Sequence, residues 1–202
     1  EIQKPHTELI ITAESEVQIS DRNQDANLDL GVSYRDALEY LAKSNKQDTI
    51  EAREFLLNSP MIECSEALAV YARPSFVSDR SLKSCVSELT TRIFNEFDYD
   101  PQFSTIATPL TEVLKHKKGV CQDFTHIMIA LVRQLGIPCR YVSGYLFHQP
   151  DGDVRSPDGS THAWGEVWLP DLGWVGFDPT NKLVADHRHI RVAVGRDYAD
   201  VP

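Results

Sequence analysis

The chain has 202 residues, of which 42% are hydrophobic and 25% charged, and a formal net charge of −10. That length buries one full core with room for an appendage, and the acidic excess argues against nucleic acid and anionic membrane surfaces as partners. No apolar run approaches a membrane-spanning length and the first residues lack a basic-then-apolar leader pattern, so a cytoplasmic setting with reduced thiols is expected.

In chain order, residues 1–30 read as a β-strand segment, with apolar clusters at Leu9-Ile10-Ile11 and Val17-x-Ile19, in keeping with the tail of an upstream β domain. Residues 31–77 read as a helical segment. Its pieces are Arg35 to Leu41 and Ser65 to Tyr71, with turns at Asn58-Ser59-Pro60 and Arg73-Pro74, and no function attaches to it. The remainder, 78–202, is the expected core domain. It opens with a helix whose stripe is Leu82, Val86, Leu89, Ile93 and Phe97, capped by Ser78 or Asp79. A shorter helix, from Pro109 or Leu110 to Lys115 and capped by Thr108, delivers the chain to Gly119.

Beyond Gly119, the residues Val120, Phe124, Ile127, Met128, Leu131 and Leu135 recur at helical spacing until Gly136-Ile137-Pro138. Cys121 therefore sits at a helix N-terminus, where unpaired N–H groups and the macrodipole favour a negative sulfur. Strands are expected at Cys139 to Phe147, His162 to Leu169, Trp174 to Asp178 and His189 to Val194. The Asp-, Gly- and Pro-rich stretch from Gln149 to Ser160 is a loop leading into His162, placed to gate a groove.

Alternation within two of those strands carries a deduction. From His162 to Leu169 the odd positions are small or apolar, as are Val175 and Phe177 after the turn at Pro170-Asp171-Leu172-Gly173. If the two strands pair as a hairpin with both odd sets in the core, His162 and Asp178 share the other face. Trp164 and Trp174 fall on that face, either as groove walls or as packing bulk.

Thiol, imidazole and carboxylate in this arrangement are what nucleophilic acyl chemistry requires: a base to take the thiol proton and an acid group to orient the imidazole. Taken singly, a cysteine in an apolar stripe is a small core residue and a lone histidine is a surface or satisfied core residue. Metal chemistry gets little support. The four cysteines, Cys64, Cys85, Cys121 and Cys139, lack C-x-x-C spacing, and Asp151-Gly152-Asp153 lacks the other ligands of a calcium loop. His187-Arg188-His189 has one adjacent carboxylate, Asp186, and a repelling Arg188, and reads as a solvated loop.

The segment from about Phe97 to Tyr198 resembles the bacterial branch of the transglutaminase-like superfamily of papain-type cysteine enzymes. The resemblance is carried by Gly119-Val120-Cys121-Gln122-Asp123-Phe124, by the run from Ile137 to Leu146, and by His162-Ala163-Trp164. It continues in the runs from Gly173 to Thr180 and from Arg191 to Tyr198. It implies an α+β, papain-like/transglutaminase-like core in which a nucleophile-bearing helix packs on an antiparallel β-sheet. It also implies catalytic roles for Cys121, His162 and Asp178. Similar proteins carry a tyrosine upstream of the nucleophile, which makes Tyr99 the oxyanion candidate beside the Cys121 backbone N–H; Gln102 competes for the role.

The reaction so implied is cleavage of a peptide or protein amide through a thioester on Cys121, without a cofactor or metal. Water as acceptor gives a peptidase or amidase, which is the preferred reading; an amine acceptor gives a protein-glutamine gamma-glutamyltransferase. A third reading is an inactive transglutaminase-like binding module.

Overall fold

The computed structural model describes residues 31–147, 155 and 159–201, together with 7, 8, 10, 12 and 14–19. Its helices are α1 (Tyr34–Lys43), α2 (Gln47–Arg53), α3 (Glu66–Ala72), α4 (Leu82–Glu96), α5 (Leu110–His116) and α6 (Cys121–Gln134). The strands are β1 (Asp98–Tyr99), β2 (Lys118–Gly119), β3 (Cys139–Leu146), β4 (Thr161–Leu169), β5 (Gly173–Asp178), β6 (Leu183–Val184) and β7 (His189–Gly195). The last five form one antiparallel sheet in the order β6-β5-β4-β3-β7. This is the α+β architecture the sequence implied. Among the described residues no helix is long and apolar enough to cross a membrane.

The core lies between α6 and the odd face of the sheet. Phe124, Ile127, Met128 and Leu131 of α6 meet Tyr141, Ala163, Val167, Val175 and Phe177, all buried. Each large side chain so buried contributes about 1.5–3 kcal/mol, which is why the odd register of the β4–β5 hairpin prevails over the alternative. Leu68, Leu89 and Ile93 from α3 and α4 close over α6 from the other side, so that the helix is buried on nearly all its circumference.

The even face of β4 is covered as well, contrary to a strand with one core face. Glu166 is buried there because Arg140 donates two hydrogen bonds to Oε2, at 2.9 and 2.6 Å, and Arg191 reaches Oε1 at 3.2 Å. The Arg140 guanidinium also lies 4.1 Å from the Trp174 ring centroid. Paired charge and stacked rings thus replace aliphatic packing on that side.

Helix boundaries differ from expectation where hydroxyl chemistry decides. The α4 cap is Ser81, whose Oγ accepts from the Ser84 N–H at 3.2 Å, and neither Ser78 nor Asp79 serves. Pro109 occupies the α5 N-cap position, because the Thr108 hydroxyl is taken up by the Thr105 N–H at 2.9 Å. Among the described residues before Gly31 there is no strand; Val17 and Ile19 remain partly exposed along the outer face of the sheet, while Leu9 and Ile11 lie outside the described residues.

Candidate active site

Gly119, Val120, Cys121 and Asp123 each have a local reason. β1 and β2 pair in parallel, Tyr99 opposite Gly119, with Asp98 N–H donating to Lys117 O at 2.8 Å and Asp100 N–H to Gly119 O at 2.9 Å. This clasp fixes where the chain enters α6. Gly119 has φ +157°, and a Cβ there would lie 2.6 Å from Asp123 Oδ2, so only glycine fits. Asp123 Oδ2 turns back to accept the Val120 N–H at 2.8 Å and the Ser104 hydroxyl, half of a capping box that tightens the first turn. Cys121 follows as the first residue of α6, half-buried, with its amide among those a helix leaves unpaired.

His162 and Asp178 are brought together by the hairpin register. β4 and β5 pair with Gly165 opposite Phe177, which sets Asp178 diagonally across from His162 on the even face. His162 Nε2–H donates to Asp178 Oδ2 at 2.7 Å, with both side chains at most 1% exposed. Burial opposes a charge on the imidazole, but the Asp178 carboxylate, helped by the Cys121 sulfur beside the ring, raises its proton affinity above the ordinary value. Nδ1, the nitrogen left for the thiol, has no complete hydrogen bond. Burial likewise opposes the charge on Asp178, and the two imidazoles His162 and His189 outweigh it and hold the carboxyl well below the usual range.

Asp178 has more partners than the sequence suggested. Its Oδ1 accepts from the Thr180 and Asn181 N–H groups at 3.0 and 3.2 Å, and its Oδ2 from Asn181 Nδ2 at 2.8 Å. His189 Nε2 also faces Oδ2, at 3.3 Å. Far from a solvated loop, His189 opens β7 with a side chain 1% exposed, and its Nδ1 stands 3.3 Å from Asp186 Oδ1. The signal that betrays it is its place as the first residue of an expected strand; the charged neighbours Asp186 and Arg188 masked it.

Trp164 seats the imidazole from the sheet side. Its indole stacks on His162, with centroids 6.0 Å apart and planes at 29°, and meets His189 edge-on at 5.2 Å. Space for it comes from glycines on both flanking strands: a Cβ on Gly144 would lie 2.7 Å from Trp164 Cη2 and 2.1 Å from the Ile190 carbonyl oxygen, and one on Gly176 3.2 Å from the indole. Trp164 and Trp174 both border a groove of about 700 Å³ on the outer sheet face, with Arg140, Glu166, Asp186 and His189. Neither Cys121 nor His162 lines it. The two tryptophans therefore serve as packing and as groove wall at once.

Tyr99, half-buried, packs edge-on to Phe124 at 6.4 Å. Burial first, then the neighbouring Cys121 and Asp123, raise the proton affinity of its phenol above the ordinary value. Gln102 is exposed in the turn after Asp100. Of the Gln149 to Ser160 stretch, only Arg155, Gly159 and Ser160 are described, so the gating expectation and Asp151-Gly152-Asp153 lie outside the described residues. Arg155 donates its N–H to Asn181 Oδ1 at 2.8 Å and Nη1 to Phe97 O at 3.1 Å. Among the described residues, no group of three or more His, Cys, Asp or Glu side chains is placed to hold a metal ion.

A profile described as "Transglutaminase-like superfamily" matches residues 71–179, more than half of the chain. The chain belongs to the transglutaminase-like superfamily. An uncharacterized protein from Mycobacterium tuberculosis is 43% identical over 157 residues, covering 75% of this chain and 50% of that protein. The chain spans about half the length of such curated relatives. A protein-glutamine gamma-glutamyltransferase of Pseudomonas aeruginosa is 27% identical over 113 residues, 48% of this chain and 16% of that protein. Among solved structures, a provisionally assigned cysteine protease from Cytophaga hutchinsonii superposes with a TM-score of 0.66 at 30% identity, covering 84% of this chain and 55% of the other. Membership in the superfamily fits the helix-on-sheet core described above.

Proposed function

We propose that this chain is a cysteine-dependent acyl-transfer enzyme that cleaves amide bonds of peptides or proteins through a thioester on Cys121. The observation that carries the reading is His162 bonded through Nε2 to the buried Asp178 at 2.7 Å, with Nδ1 free for the adjacent sulfur. In the reaction, Nδ1 takes the thiol proton, the thiolate attacks the amide carbonyl, and the imidazolium returns the proton to the departing amine or ammonia. The Cys121 N–H and the protonated Tyr99 hydroxyl are the donors for the oxyanion. Water then releases the acid. The fixed Nε2–H···Asp178 bond keeps the ring in the tautomer whose Nδ1 accepts, which is the role a buried carboxylate plays in such a set.

Transfer to an amine is the second reading, favoured by the similarity to the Pseudomonas gamma-glutamyltransferase. Incubation with a library of glutamine-containing peptides, with and without a primary amine, distinguishes the two by product mass. Free acid alone supports hydrolysis and an amine adduct supports transfer. Either product has to vanish in Cys121→Ala; a binding module would show no turnover at all while still capturing its partner.

A further inference from the structure

Asn181, 6% exposed, stands between the catalytic couple and a residue that no step above uses. On one side its Nδ2 donates to Asp178 Oδ2 at 2.8 Å and lies 3.3 Å from His162 Nε2, so that the three atoms form a triangle closed by the 2.7 Å bond between acid and ring. On the other side its Oδ1 accepts the Arg155 N–H at 2.8 Å. An ionised carboxylate only accepts and a backbone N–H only donates, so one of the two orientations open to the amide satisfies both neighbours and the other satisfies neither. Turned over, the amide would set its oxygen against Asp178 and its own N–H groups against that of Arg155.

Arg155 is itself held from a third direction. Its Nη1 donates to Phe97 O at 3.1 Å, and its guanidinium carbon lies 3.7 Å from the Phe94 ring centroid. Phe94 belongs to α4, and Phe97 is the residue between α4 and β1. One arginine thus ties the β5–β6 turn, which carries Asn181, to the end of α4, with its backbone on one side and its side chain on the other.

We propose that Arg155 is a positioning residue that acts through Asn181: its N–H sets the amide, its guanidinium anchors that setting to Phe97, and the amide so held keeps water from the His162–Asp178 pair. The role rests on the acyl-transfer reading above and adds to it a residue outside the triad. A water in place of the Asn181 side chain could still donate to Oδ2, so what the amide supplies is exclusion of solvent, and the attraction between imidazolium and carboxylate is stronger where solvent is excluded. Where that attraction weakens, His162 gives up its proton at lower pH and less of Cys121 stands as thiolate beside an imidazolium. The titratable groups facing the His162 ring are Cys121 of α6, Asp178 of β5 and, at a ring separation of 6.4 Å, His189 of β7; the uncharged Trp164 and Asn181 complete its surroundings. A substitution at Arg155 alters none of these groups, so any effect on His162 has to be transmitted.

The test is a nitrogen-15 NMR titration of the His162 imidazole in the whole chain. Asn181→Ala removes the amide and is expected to lower the midpoint at which the ring loses its proton by about one pH unit. Arg155→Ala keeps the backbone N–H but removes its anchor, and is expected to shift the midpoint in the same direction. Because one residue acts through the other, the double variant is expected to shift no further than Asn181→Ala alone. A midpoint unmoved or raised in either single variant, or shifts that add in the double variant, overturns the proposal. Iodoacetamide labelling of the buried thiols Cys85 and Cys139 marks a variant that has not folded. In that event hydrogen exchange in the wild type decides: protection of both the Arg155 N–H and the Asn181 side-chain amide supports the proposal, and exchange of either at the rate of a free amide overturns it. Failure of the acyl-transfer reading looks different, namely wild-type Cys121 alkylated no faster than the other thiols, whatever His162 does on substitution.

Discussion

His162 Nε2 faces Asp178 Oδ2 at 2.7 Å inside a site from which water is almost fully excluded, so one ring nitrogen is committed to the acid and the other is reserved for the sulfur. Replacing Asp178 by Asn removes the charge and presents a neutral amide in its place, which no longer selects the tautomer that accepts at Nδ1. Asp178→Asn is expected to lower kcat by about two to four orders of magnitude with a smaller change in KM, measured on any peptide the wild type turns over.

The thiols should separate by reactivity. Burial raises Cys64 and Cys85 above the ordinary thiol range and pushes Cys139 up to about 12, whereas Cys121 stands half-buried at a helix start beside an imidazole. Iodoacetamide at neutral pH is expected to label Cys121 at least tenfold faster than the other three, with His162→Gln narrowing the gap. Equal labelling of all four by peptide mapping would sink the acyl-transfer reading.

Stability should depend on pH from two opposed sides. Burial opposes the His162 charge but Asp178 outweighs it, so the native proton affinity lies above the unfolded one; that contribution is whole below about pH 6.5 and is lost as pH rises through the raised native value. Asp178 is lowered, so its share is present above about pH 4 and is lost as pH falls through the native value. The pair therefore contributes fully between about pH 4 and 6.5. His126 behaves oppositely: burial, against the pull of Asp197, drives it down to about 4, and its neutral Nε2 accepts the Tyr198 N–H at 3.1 Å. Its contribution, up to about 3 kcal/mol, is present above about pH 6.5 and is lost as pH falls through the native value. Urea midpoints across pH are expected to flatten on the alkaline side in His162→Gln and over pH 4–6.5 in His126→Leu.

The seat of Trp164 gives a steric prediction. A methyl group on Gly144 would meet a backbone carbonyl oxygen that cannot swing away as well as the indole, so Gly144→Ala is expected to destabilise by about 3 kcal/mol or more and to lower the melting temperature by several degrees. Gly176→Ser, whose Cβ would lie 2.5 Å from Ala185 Cβ and 3.2 Å from the same indole, should show a comparable loss. Because Trp164 stacks on His162, turnover measured well below the melting temperature is expected to fall in both variants.

Much of the site was legible from periodicity because strand registers have only two choices, and the apolar odd positions Ala163, Val167, Val175 and Phe177 select one of them. His162 and Asp178 follow from that choice, and the start of α6 follows from Gly119 and the stripe beyond it. What stayed hidden depends on contacts between segments distant in sequence. No spacing rule joins His189 to Asp178, because β7 pairs with β3 and reaches the acid only through the turn of β6 and the lie of the sheet. The burial of Glu166 is similar: it needs Arg140 and Arg191 from two other strands, and neither is announced by alternation. The β1–β2 clasp, a ladder of two residues, leaves no periodic trace in the sequence. Helix caps were misplaced by a few residues because adjacent hydroxyls compete, and only the geometry of Ser81 and Thr108 ranks them.

Residues 196–198 fasten α6 and the turn at Met61, both of which precede them by a long stretch of chain. Arg196 O accepts from buried Arg133 at 2.7 Å, Asp197 Oδ2 accepts the Met61 N–H at 2.7 Å, and Tyr198 N–H donates to His126 at 3.1 Å. During synthesis, α6 thus lacks its last ties until this segment has cleared the ribosome, and β7 with His189 arrives only just before it. A nascent chain therefore holds the Cys121 sulfur apart from an assembled imidazole and carboxylate until the strands that carry them have closed on α6.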